Sequence, residues 1–509
     1  MNPNPHPNEL YTAEGVAALD RHAIENLGIA GITLMRRAAA ACVESLHRHF
    51  PDATRVLVCC GSGNNAGDGY IIAGMLADRG IKTNVLSVGD VTKLGSDATK
   101  AYEYCCRTAA SIVAVEDASF DDPVTNKLDD LYNETDVIVD ALLGTGLNGQ
   151  VRDNYIAVIE SINRSAASVL AVDVPSGLDA NTGVRLGETV GADVTVTFIG
   201  LKQGLYTMDG PDCCGEIEYA DLEVPLSTFE SAPPAAHILG LDRCLAALPK
   251  RPKNAHKNRF GHVLVIGGDE GMGGAVSMCA ETALRSGAGM VSVATHPVHV
   301  AALLARRPEL MVRGIGHPDD LGPMLARASV VALGPGLGRS SWSSRIFKKA
   351  METTREEDLP LVLDADGLNL MALHPERRDT WVLTPHPGEA SNLLQDNQIQ
   401  ADRFRSVRTL VDRFGGAVLL KGAGTIVAAD DRMDVCIHGN PGMSTAGMGD
   451  VLSGLIAGLI AQGVGLGDAT RLGVLVHALA GDRAAGARGQ RGLVATDLID
   501  EIQALLNDF

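Results

Sequence analysis

At 509 residues the chain exceeds what one hydrophobic core supports, roughly 250–300 residues, so two or three domains are expected. Aromatic residues make up only 4% and the formal net charge is −19, which excludes base-stacking single-strand binders and non-specific attraction to nucleic acid or anionic membrane. The ten cysteines include the adjacent pairs Cys59-Cys60, Cys105-Cys106 and Cys213-Cys214 but no C-x-x-C spacing, which argues against zinc and for small buried side chains in a reducing compartment.

The opening MNPNPHPNELYT has no basic region followed by an apolar run, so a cytoplasmic protein without a secretory signal is expected. Residues 9–50 read as helices, with Leu34, Ala38, Ala41 and Cys42 on one face. A repeated grammar follows: RVLVCC at 55–60, the turn GSGNNAGDG, an apolar helix, then strand candidates NVLSV, SIVAV, DVIVDALLG, SVLAVDVPSG and DVTVTFIG. Uncharged runs alternating with helical stretches predict a doubly wound, Rossmann-like α/β domain with parallel strands covered on both faces. The composition changes at STFESAPPAAHI, residues 227–238, which reads as a linker. A second α/β series runs through HVLVIGG, MVSVAT, SVVALGPGLG, LVLDADGL, TWVLTPHPGE and AVLLKGAGT. The apolar stretch Val451 to Gly467 is shorter than the ~18–20 residues of a membrane span and carries five glycines; it is read as a buried core helix.

In both halves the unusual residues stand just after strands, the edge where open α/β sheets bind ligands. In the first half, Asn64, Asn65 and Asp68 lie in a glycine-rich loop that enters a helix, where free N–H groups favour anions. Asp140 ends VIVD and Asp173 ends LAVD. Either aspartate alone would pass for a turn cap; three polar tips on one edge point to a ligand. Asn65, Asp140 and Ser176 offer oxygens suited to a monovalent cation rather than zinc.

The set GNNxGDG, VDALLGTGL and VDVPSGLDA resembles the NAD(P)H-hydrate epimerase domain, over about the first 225 residues. The resemblance implies an epimerase domain over 1–228 that inverts C6 of hydrated NADH and NADPH. It implies that Asn64, Asn65, Ala66, Gly67 and Asp68, with Gly144, Thr145, Gly146, Leu147, Asn148, Gly149 and Gln150, hold the substrate. It further implies K⁺ on Asn65, Asp140 and Ser176, and Asp173 at the reacting ring as acid/base. Ala66 stands where the family usually has glycine, and its methyl would crowd the substrate if the backbone there needs positive φ. C6 of the substrate is hemiaminal-like, so a positioned carboxylate can assist by moving a proton, through either ring opening or loss and return of water.

In the second half Lys421, Gly422, Ala423, Gly424 and Thr425 form a glycine-rich turn after a strand. His386 sits in the proline-flanked TPHPGE, and GMGD at 447–450 precedes an apolar helix whose N–H groups can form an anion cradle. VLVIGG, GPGLG, DADGLN, TPHPGE, KGAGT and GMGDVLSG together resemble the ADP-dependent NAD(P)H-hydrate dehydratase branch of the ribokinase-like superfamily. That resemblance implies a dehydratase domain over 239–509. Lys421 to Thr425 and Gly449 would then bind the ADP/AMP phosphates, while Ala275, Gly336, His386 and Asp450 contact the hydrated dinucleotide. Phosphorylating the C6 hydroxyl would convert a poor leaving group into phosphate, with Asp450 accepting the proton and the N–H groups of Ala446 to Gly449 steadying the charge. Mg²⁺ is expected with the nucleotide, although no dedicated metal cluster is visible. The expected partners are NAD(P)HX and ADP, in a homo-oligomer for which the family offers a tetramer, with no nucleic acid and no membrane. The basic segment KRPKNAHKNRFGH at 250–262 reads as a solvated linker face. The rival reading is a ribokinase-superfamily small-molecule kinase fused to a non-catalytic nucleotide- or RNA-binding Rossmann-like domain.

Overall fold

The computed structural model describes residues 8–115 and 131–507. The first seven residues, on which the expected lack of a secretory signal partly rests, lie outside them. The chain divides into two compact units, Met1–Ala236 and His237–Phe509.

In the first unit a seven-stranded sheet runs in the order Ser111–Val115, Lys82–Val88, Arg55–Cys60, Val137–Ala141, Ser168–Val172, Val194–Phe198, Glu216–Ala220. Every pairing is parallel. The predicted runs form these strands because their Val, Leu, Ile and Cys side chains are buried on both faces. Glu216–Ala220, with its charges, lies at an edge and was not anticipated. Helices Ala13–Glu25 and Gly31–His49 occupy most of the segment expected to be helical; Leu34, Ala38 and Cys42 are buried and Ala41 is half-buried. The chain enters the sheet at Arg55–Cys60, winds to one side, then reverses to Val137–Ala141. That reversal opens a crevice between the ends of two adjacent strands.

The second unit repeats the plan: Met311–Gly314, Met290–Thr295, His262–Ile266, Val330–Leu333, Leu361–Leu363, Trp381–Leu383 and Ala417–Leu420 are parallel neighbours. The hairpin strands Thr425–Ala429 and Arg432–Cys436 then continue it antiparallel. Its switch point falls between His262–Ile266 and Val330–Leu333. The stretch read as one core helix is two: Met448–Ala461, buried along nearly its whole length, and Leu466–Arg488. The break comes at Gly463, whose φ of +91° ends the first helix. No helix among the described residues is long and apolar enough to cross a membrane. The ten cysteines are free thiols, all buried except Cys106.

Candidate active sites at the two switch points

At the first switch point the strand Arg55–Cys60 turns through Gly61, where a Cβ would come within 2.0 Å of the Leu142 carbonyl oxygen. Only glycine lets the two post-strand loops approach this closely. The helix Asn64–Asp78 starts at once behind Gly63. Ala66 sits in its first turn, buried and without positive φ, so the condition under which its methyl would crowd the substrate is not met: the turn is already helical and accepts a Cβ.

Asn65 Nδ2 donates to the Leu143 carbonyl at 3.2 Å. The Ser176 hydroxyl lies 2.6 Å from Asp140 Oδ1 and 3.1 Å from that same carbonyl, and the Ser176 N–H donates to Asp140 Oδ2 at 2.8 Å. The structure therefore brings Asn65, Asp140 and Ser176 together, as expected. Asp140 is fully buried, and burial pushes its carboxyl up to about 6 against the opposing hydrogen bonds from Ser176 and Leu142. No basic side chain among the described residues bonds to it. A buried carboxylate lacking a counter-charge, amid hydroxyl and carbonyl oxygens, fits a monovalent cation. Gly144 flanks Asn65, where a Cβ would lie 3.2 Å from that of Asn65, so the 144–150 loop borders the same crevice.

Asp173 holds a left-handed backbone at φ +68°, uncommon for a residue other than glycine. Three donors converge on its Oδ1: the Lys202 ammonium, the Phe198 N–H at 3.1 Å and the Thr197 hydroxyl at 3.2 Å. Lys202 is fully buried. Asp68 and Asp20 feel the charges of both Asp173 and Lys202. Burial, then Asp173, then Asp20 push the Asp68 carboxyl well above its ordinary range; burial, then Asp173, raise Asp20. Lys202 and Asp20 were not singled out from the sequence, although a lysine ending the apolar run VTVTFIGLK was a visible signal.

In the second unit Gly267 and Gly336 play the part of Gly61. A Cβ at Gly267 would meet the Pro335 carbonyl at 2.0 Å, and one at Gly336 (φ +56°) would meet the Ala275 Cβ at 3.0 Å. The expected substrate contacts Ala275 and Gly336 are therefore neighbours. Gly338 N–H donates to Asp366 at 2.9 Å, tying GPGLG to DADGLN.

The centre of the site is a lysine among carboxylates. Lys421 Nζ lies 2.8 Å from Asp364 Oδ1 and 3.9 Å from Glu389 Oε2. Burial would lower its pKa, but Asp364, Glu389 and Asp450 outweigh this and raise it. Asp364, 1% exposed, also receives the Ser453 hydroxyl at 2.7 Å; despite burial, Lys421 and these bonds hold its carboxyl low. A Cβ at Gly449 would lie 3.2 Å from Lys421 Nζ and 3.3 Å from Asp364 Oδ2, so GMGD stands directly over the pair. Asp450 is in the first turn of Met448–Ala461. Burial, then the Asp364 charge, push its carboxyl up to about 7, poised for proton acceptance near neutrality.

His386 caps the helix Pro387–Leu394: its Nδ1 accepts from the N–H of Gly388 at 2.9 Å and of Glu389 at 3.3 Å. Nδ1 is thereby the unprotonated nitrogen, and Nε2 lies 3.5 Å from Glu389 Oε1. The KGAGT turn is fastened by Arg403, buried at 1% exposure, which donates to the carbonyls of Leu420, Lys421 and Gly424. Asp364, Glu389, Ser453 and Arg403 were missed as site residues. Asp364 ends LVLD just as Asp140 ends VIVD, a signal in plain view; Arg403 belongs to a distant helix and left none. Among the described residues, one group of three side chains is arranged as metal ligands, His49, Glu216 and Glu218, and it lies in the first unit. The 250–262 segment is mostly exposed, with Arg251 stacked 4.0 Å over Phe260.

Two family models match, described as YjeF-related protein N-terminus over residues 31–204 and NAD(P)H-hydrate dehydratase over residues 263–504. The chain is 44% identical to the bifunctional NAD(P)H-hydrate repair enzyme Nnr of Coxiella burnetii, over 98% of this chain and 99% of that one. It is 39% identical to the enzyme of that name from Escherichia coli, over 99% and 95%. Among solved structures, a ribokinase-like superfamily protein from Enterococcus faecalis superposes with a TM-score of 0.51 at 28% identity, covering 54% of this chain and 96% of its own. With a site at the switch point of each unit and relatives matching from end to end, the chain belongs to the family of bifunctional NAD(P)H-hydrate repair enzymes.

Proposed function

We propose that the first unit interconverts the R and S hydrates of NADH and NADPH. The second dehydrates the S form, consuming ADP and releasing AMP and phosphate. The observation that carries this reading is Asp450, lifted to about 7 beside a glycine amide cradle and a buried ammonium.

Hydroxide leaves carbon poorly, and this site is arranged to improve the leaving group. Asp450 accepts the C6 hydroxyl proton as that oxygen attacks the β-phosphorus of ADP, and AMP departs. Gly449 N–H and Lys421 face the charge on the transferring phosphoryl group. Phosphate then leaves C6 and the ring loses a proton from C5, restoring the dihydronicotinamide. Gly336 and Ala275 give the ring a close floor, and His386 Nε2–H offers a donor at its rim. An open cavity of about 800 Å³, bordered by Arg339, Asn369 and Asn392, adjoins these loops and gives the distal half of the dinucleotide room.

In the first unit Asn64 to Asp68 and Gly144 to Gln150 line the crevice, and Asp173 acts on the C6 hydroxyl. Asn65, Asp140 and Ser176 would hold K⁺, which supplies a fixed positive charge beside the crevice. Mg²⁺ would enter the second unit on the nucleotide phosphates, since it commonly keeps its waters and needs few protein ligands. We take the protein to be a cytoplasmic homo-oligomer, an environment suited to its free thiols.

The test is incubation of mixed R and S hydrates with ADP while the near-ultraviolet absorbance of NADH is followed. Complete recovery is expected. Phosphorylation of simple alcohols with no recovery from the hydrate would establish the kinase reading instead.

A further inference from the structure

Three carboxylates, from Asp20, Asp68 and Asp173, face one buried ammonium in the first unit. The buried Cys42 thiol, on the helix Gly31–His49, feels the charges of Asp68 and Asp173. One positive charge stabilises one ionised carboxylate in such a place; the others are driven toward their neutral acids. Lys202 has chosen among them by contact. Its ammonium, fixed by the Phe198 carbonyl at 2.9 Å and the Thr197 hydroxyl at 3.1 Å, is bonded to Asp173 Oδ1. The other two donors on Asp173 also end on Oδ1, so its Oδ2 has no donor among the described residues. No hydrogen-bond donor among the described residues reaches the Asp68 carboxyl.

We infer that Lys202 is a positioning residue that keeps Asp173 as the proton acceptor of epimerisation, and that Asp68 is the acid that delivers the matching proton. This rests on the epimerase reading of the first unit and divides its labour between two residues. Asp173 Oδ2 takes the proton of the C6 hydroxyl. The C6–N1 bond breaks as the carbonyl forms, its electron pair goes to N1, and N1 takes the proton of Asp68. The open aldehyde turns its other face to N1, and closure returns the N1 proton to Asp68 and the proton held by Asp173 to the new hydroxyl. Both carboxyl groups end as they began, and nothing is oxidised or reduced.

The experiment is the pH profile of R-hydrate repair by the full chain, with dehydration of the S form as an internal control. Asp68→Asn is expected to lose at least about 100-fold in kcat with KM little changed, and to lose the descending alkaline limb while keeping the acid one. Lys202→Met is expected to lose about tenfold or more in kcat with KM little changed, and Lys202→Arg to restore it. A rise in KM with kcat unchanged in Lys202→Met, or both limbs intact in Asp68→Asn, overturns the assignment. If Lys202→Met does not fold, the Asp68→Asn profile decides alone. A wild-type chain that repairs only the S form sinks the epimerase reading itself, and the assignment falls with it.

Discussion

Replacing Asp450 by Asn tests the dehydratase site on two independent readouts. Burial and the Asp364 charge lift this carboxyl from the ordinary 3.8 to about 7. As a general base it accounts for ~10²–10⁴-fold in rate, about 3–5 kcal/mol of barrier. The same shift has a stability consequence. A carboxyl whose folded pKa exceeds its unfolded one favours folding in its neutral form, so the penalty is absent below about pH 4 and grows as pH rises to about 7. At about 1.36 kcal/mol per decade, the ionised group costs the second unit at most about 4 kcal/mol near neutrality. Asparagine cannot ionise. The variant should therefore lose absorbance recovery by 100-fold or more while its second unit unfolds at a higher temperature at pH 8, an advantage that disappears at pH 4. In the wild type, kcat/KM for dehydration should fall about tenfold for each pH unit below about 7. Near-normal recovery would refute the assignment of the base, and lost activity together with lowered thermal stability would mean that the carboxylate is structural.

Asp173→Asn should leave recovery halted at the S share of the hydrate mixture, readable as the plateau of the same absorbance trace. Gly336→Ala places a methyl 2.7 Å from the Met272 carbonyl oxygen at φ +56°, costing about 1–2 kcal/mol for the left-handed backbone alone. Its KM for the S hydrate should rise tenfold or more, with epimerisation by the first unit unchanged. Lys421→Met strands the buried Asp364 carboxylate, so calorimetry should find the second unit destabilised by about 3–5 kcal/mol. Adding Asp364→Asn should return much of that stability without returning turnover.

Most of the parallel strands were legible because they are buried on both faces and therefore carry continuous apolar runs; residues 55–60 and 290–295 match strand bounds directly, as does the largely unburied edge strand at 111–115. Arg432–Cys436 was not, since RMDVC alternates polarity at the edge of a hairpin. The break in the Val451 to Gly467 stretch was hidden because hydropathy stays high through Gly463, while the backbone there turns left-handed. Tips of the sites were read where a polar residue interrupts an apolar strand end, as at Asp140 and Asp173, though the same signal at Asp364 was passed over. What sequence order conceals is convergence. Asp364 and Lys421 stand 57 positions apart, and only the shared carboxyl edge of the sheet, across the intervening strand Trp381–Leu383, makes them a pair. Lys202 escaped for a related reason: its charge is meaningful only once Asp173 is found opposite it.

Arg403 carries a consequence for how nucleotide is received. Its guanidinium gathers the carbonyls of Leu420, Lys421 and Gly424 onto the inner side of the KGAGT turn. In a planar trans peptide the N–H points opposite to the C=O. Drawing the Lys421 carbonyl inward therefore aims the Gly422 N–H outward before any phosphate arrives. The turn waits already cocked, and the ordering that a loose glycine loop would undergo at each round of binding has been completed once, when the chain folds.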